Sequence, residues 1–190
     1  MPSVSLFALN PAEFSQAIAP PHDDLLARLA ESLEDNSSFS SGDREEIAGA
    51  TRLLLQYRCQ EIATDWEIVA TEFLLQSETE QHDLWELQGW KGRAFRALRL
   101  DELTSSAEPP FFKRLVDVNP DCLRYFTAAD VAARILPEVT LRAEGPGSPD
   151  LDDEDEDGNE SNAWTRAYQE LGEALERVRA DGLDAVLVIR

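Results

Sequence analysis

The stretch LDAVLVI, Leu183–Ile189, decides the fold class. After Asp184 its residues are apolar without alternation, and Val186, Val188 and Ile189 are β-branched. The run is too short for a buried helix and reads as a strand covered on both faces. Just before it, NAWTRAYQELGEALERVRADG carries Trp164, Tyr168, Leu171, Leu175 and Val178 at helical spacing. Gly182 stands where the C-cap of that helix needs a left-handed residue. Near the other end, SVSLFAL (Ser3–Leu9) alternates and then turns apolar, a second strand. Asn10-Pro11 follows as a helix start, with Asn10 as cap and Pro11 in the first turn, where its missing N–H costs nothing. Strands at both ends of a helical chain predict an α+β fold. The expected form is a mostly helical single domain over residues 1–190, with a small sheet containing the N- and C-terminal strands.

The intervening segments read mainly as helices. Leu25, Leu26, Leu29 and Leu33 form one stripe in HDDLLARLAESLED. From Asp43 a second stripe runs through Ile47, Ala50, Leu54 and Tyr57 toward Ile62, and it encloses Cys59. ATDWEIVATEFLLQ continues as helix, although WEIVA is short enough to be a strand. HDLWELQ reads as helix up to a turn at Gly89 and Gly92. PFFKRLVDV is a short helix between two proline breaks. TAADVAARILPEV is a helix with Thr127 as cap, Asp130 at the capping-box position and Pro137 as its end.

Charge narrows the partners. The chain has 38 acidic and 17 basic residues, a net of −21, and 43% hydrophobic residues, enough to bury a core. Residues 1–90 carry a net −13, residues 91–142 a net +2, and residues 143–190 a net −10. Such a field repels nucleic-acid phosphates and anionic lipid and favours a protein with a basic surface. No window approaches the roughly 20 uncharged apolar residues of a membrane span. The opening MPSVSLFALNPAEF has no basic region of the kind that begins a signal peptide. Cys59 and Cys122 therefore read as reduced thiols in a cytoplasmic protein. The expected partners exclude nucleic acid and membrane, and no cofactor is implied.

Two stretches hold the candidate sites. LWELQGWKGRAFRALR interleaves Trp85 and Trp90 with Lys91, Arg93 and Arg96, the residue types that anchor protein interfaces. DEDEDGNESNAW places Asp153, Asp155 and Asp157 at alternate positions before Gly158, the first half of a calcium loop. Its twelfth position is Trp164, which offers no oxygen, and EGPGSPDLD cannot form the entering helix. The stretch from about 145 to 162 reads instead as a flexible, self-repelling acidic linker. His22 lies at a helix start beside two aspartates, and His82 lies in a polar stretch with no partner at metal-ligand spacing. No phosphate-binding glycine loop, zinc spacing or nucleophile elbow occurs.

The closing AWTRAYQELGEALERVRADGLDAVLVIR resembles the end of small bacterial domains of unknown function, which begin with a short strand and end with a helix and an apolar strand. SLFALNPAEF and TAADVAARILPEV are compatible with that pattern. The resemblance implies an α+β domain and carries over no catalytic residue. By analogy, some small acidic proteins of this kind are toxin-neutralising immunity proteins. The expectation is an acidic cytoplasmic interaction module, an immunity protein or inhibitor meeting a basic surface. The alternatives are a small enzyme using carboxylate or His82 chemistry, and a nucleic-acid mimic.

Overall fold

The computed structural model describes residues 4–84, 109–118, 122–144 and 160–189. In chain order the elements are β1 (Val4–Leu9), α1 (Pro11–Ala17), α2 (Asp23–Asp35), α3 (Ser41–Leu55), a 3-10 turn (Cys59–Glu61), α4 (Thr64–Glu78) and β2 (Glu80–Asp83). They continue with α5 (Pro110–Val118) and β3 (Leu123–Phe126). Helix α6 follows, made of Ala128–Asp130, a π-helical turn Val131–Ile135, and Leu136–Glu144. The series closes with α7 (Glu160–Ala180) and β4 (Asp184–Ile189). The described residues divide into two compact units, Leu9–Glu80 and the unit made from Met1–Ala8 with Gln81–Arg190.

The second unit holds a four-stranded antiparallel sheet in the order β2-β1-β4-β3. The strands from the two ends of the sequence thus lie side by side at its centre, as the apolar runs predict. β3 pairs antiparallel with β4, Leu123 opposite Val188 and Phe126 opposite Ala185. Every residue of β1 and β3 is buried, and so is β4 from Asp184 to Val188. This explains the missing alternation. On one face Val4, Leu6, Phe126 and Leu187 share a core with Val131, Ile135 and Val139 of α6 and Leu171, Leu175 and Val178 of α7. Tyr125, adjacent to Phe126, points to the other face by strand alternation. There it stacks on Phe112 of α5, ring centroids 4.9 Å apart.

One carboxylate ties three of these elements together. Asp184, at the start of β4, is 8% exposed. Its Oδ1 accepts the Ala128 N–H at 2.7 Å, and its Oδ2 accepts the Tyr125 hydroxyl. It therefore fills one of the unbonded amides at the start of α6. Thr127 fills another: its Oγ1 accepts the Asp130 N–H at 3.1 Å, which places the cap where the sequence puts it. At the far end of α7, Gly182 adopts φ +65°, and the Leu183 N–H returns to the Val178 carbonyl at 3.0 Å, a Schellman closure.

Three sequence expectations need correction. Pro137 does not end its helix. The Leu136 N–H bonds the Val131 carbonyl in a widened turn, and the helix continues to Glu144. A wide turn of this kind absorbs the bond and the space that a proline removes from the helix interior. The start of HDLWELQ is strand rather than helix: residues through Asp83 form β2, and the Leu84 N–H reaches the Val4 carbonyl at 3.0 Å. Pairing with β1 overrides a local preference that no apolar period reinforces.

The third correction lies in the helical unit. α3 ends at Leu55, because Tyr57 takes φ 57° and the Arg58 N–H bonds the Leu53 carbonyl at 2.9 Å. Tyr57 is therefore 47% exposed instead of continuing the apolar stripe, and Cys59 is buried in the 3-10 turn. α1 and α2 follow their sequence signals, except that Leu26 of the predicted stripe is only half-buried. Asn10 accepts the Ala12 N–H at 3.0 Å and caps α1. α2 buries Leu25, Leu29 and Leu33, and α3 starts with a capping box between Ser40 and Asp43. WEIVA is helical within α4, which packs along α3.

Candidate functional site

Helix α7 buries Tyr168, Leu171, Ala174, Leu175 and Val178 and turns Glu173, Glu176 and Arg177 outward. Glu170, Glu173 and Arg177 recur at spacings of three and four residues, so they share one flank of the helix. On this flank β2 supplies Gln81 and His82. The result is a pocket of about 420 Å³ lined by Gln81, His82, Glu170, Glu173 and Arg177, with Leu84 and Ala174 as its apolar part. Leu84 is 1% exposed, so it closes the pocket against the core. The Gln81 side-chain amide donates to Ser5 Oγ at 3.1 Å, which steadies β2 on β1.

The side chains gathered here are an imidazole, two carboxylates and a guanidinium. These groups give donors and acceptors of both charges around one small volume. Across Glu173 and Arg177 lies a second, more open cavity of about 720 Å³ between α6 and α7, lined by Leu136, Thr140 and Ala143 among others. Glu173 and Arg177 line both cavities. Neither residue takes part in an ion pair or side-chain hydrogen bond among the described residues, whereas Arg179, two residues on, is held by Glu176 at 2.6 Å.

The other sequence candidates fall elsewhere. Trp85, Trp90, Lys91, Arg93 and Arg96 lie outside the described residues, as do Asp153, Asp155 and Asp157. Among the described residues no group of three or more His, Cys, Asp or Glu side chains is placed to hold a metal ion. His22 is half-buried at the start of α2 and makes no side-chain cap bond there. Cys59 is buried and Cys122 half-buried, and neither is in a disulfide. Among the described residues no helix is long and apolar enough to cross a membrane. Sequence reasoning named His82 but not Glu170, Glu173 or Arg177. Their three-and-four spacing was the available signal, but nothing in it points back to His82.

No family model matches the chain, and no curated protein or solved structure is significantly similar to it. The resemblance in the terminal segments therefore brings no residue role with it.

Proposed function

We propose that the protein is an acidic interaction module of the cytoplasm, an immunity protein or inhibitor that binds a basic protein surface. The observation that carries this reading is the outer side of α2. Asp23, Asp24, Glu31, Glu34 and Asp35 are all exposed there, while Leu25, Leu29 and Leu33 are buried beneath them. The one cation of this helix, Arg28, is engaged by Glu78 at 3.0 Å. The five carboxylates thus face solvent with Arg28 as the single cation on their own helix. Exposed Glu45 and Glu46 of α3 add to the acidity of the same unit. Like charges held this way favour solubility, and they also steer a basic partner into encounter and reject acidic ones.

Immobilised protein incubated with a lysate of the source organism tests the reading. A basic protein should be retained at low salt and released at high salt. The triple variant Glu31→Lys, Glu34→Lys, Asp35→Lys should keep its helical circular dichroism and slow association by about tenfold or more. A partner that is itself acidic, or one whose association rate ignores the three reversals, would rule the proposal out.

A further inference from the structure

We infer that the pocket between β2 and α7 binds a small zwitterion, an α-amino acid carrying a free amine and a free carboxylate. Glu173 and Arg177 set the chemistry of this pocket. A glutamate four residues before an arginine on a helix is well placed to form an ion pair. Here the two stand apart, and both line the pocket wall. Each offers an uncompensated charge of opposite sign to the same volume. Glu170 adds a second carboxylate at the wall, and His82 faces them from β2.

Three ligand classes compete for such a lining. A bare anion has Arg177 to meet, but it also meets Glu170, Glu173 and the field of a chain with net charge −21. A bare cation has the carboxylates but lies against Arg177, and the exposed acids of this chain attract it as well elsewhere. A zwitterion satisfies both signs and brings no net charge. Its carboxylate takes the two-pronged hydrogen bonding that the Arg177 guanidinium offers, and its ammonium takes the Glu173 carboxylate. Leu84 and Ala174 are buried and only floor the pocket, so its lining is polar and favours an amino acid with a small or polar side chain beside His82. At about 420 Å³ the pocket lies in the ordinary range for small-molecule sites. This inference does not depend on the basic-partner proposal, which concerns α2.

The test is calorimetric titration of the full chain with the twenty L-α-amino acids one at a time, together with the N-acetyl and methyl-ester forms of any that bind. At least one free amino acid should bind with Kd below about 1 mM, and both blocked forms should lose about tenfold or more. Arg177→Met and Glu173→Gln should each weaken binding by about tenfold or more. Both residues are exposed, so both variants should keep the parent circular dichroism. Arg179→Met, on the same helix but outside the pocket, should leave affinity unchanged. The inference fails if no free amino acid binds more tightly than about 10 mM, if blocked and free forms bind alike, or if Arg177→Met binds as the parent does.

Discussion

The sheet and the helices of Leu9–Glu80 bury their apolar side chains by opposite routes. In the sheet, β1 and β4 come from opposite ends of the sequence, and both are buried on both faces. Their burial is decided by pairing between distant segments. In the helical unit, α2 and α3 each bury one stripe and leave the rest to solvent, so a local period decides the outcome. α4 is the exception that makes the distinction useful. It buries Ile68, Phe73, Leu74 and Leu75, but also Glu67, Thr71 and Glu72. A helix enclosed on several sides carries no clean stripe, and its burial cannot be read from periodicity alone. The pattern of a segment reports how many sides of it are covered, not merely whether it is helix or strand.

The largest expected effect separates the two routes directly. Leu187→Ala, at 0% exposure in β4, should cost about 4 kcal/mol, because a central strand packed on both faces cannot collapse onto the cavity. Leu29→Ala, beneath α2, should cost about 2 kcal/mol, since one side of that helix is free to shift. Urea denaturation of both variants measures the pair, and equal losses would erase the proposed difference. A smaller effect compares two helix ends. Gly182 and Tyr57 both hold left-handed backbone, one after α7 and one after α3. Gly182→Ala should destabilise by about 1 kcal/mol, and Tyr57→Gly should stabilise by up to about the same amount. Melting temperatures that move in one direction for both would show that Tyr57 contributes packing beyond its backbone.

The smallest effect is a titration. Asp43 accepts the Ser40 hydroxyl at 2.7 Å and the Ser40 N–H at 3.0 Å, which hold its carboxyl below the ordinary value of 3.8. A depressed folded value means that the capping box contributes above the unfolded pKa and is lost as pH falls through the folded one. Ser40→Ala should therefore move the Asp43 titration upward, followed by its carboxyl carbon shift in NMR. An unchanged midpoint would assign the depression to something other than the cap.

Much of this fold was legible because local chemistry and the final structure agree. Asn10, Thr127 and Gly182 act at helix ends where their side chains or lack of one predict it. The terminal strands were legible because unbroken apolar runs of that length have few other uses. β3 was not: Leu123–Phe126 is four residues long, and its burial depends on Val188 and its neighbours far along the chain. Tyr57 misled because an aromatic at helical spacing looks like core until the backbone reverses. The pocket was half legible. His82 stood out as one of two histidines, but the helix flank that faces it lies far away in sequence, and only strand pairing brings β2 to it.

β1 and β2 are hydrogen-bonded neighbours, yet residues 10–79 separate them where a two-residue turn would serve. The ends of the helical unit therefore leave the sheet about one strand spacing apart, near 4.8 Å. That is the geometry of an insertion carried on a hairpin. With no tight turn to set it, the register of β1 on β2 rests on the pairing of the two strands themselves.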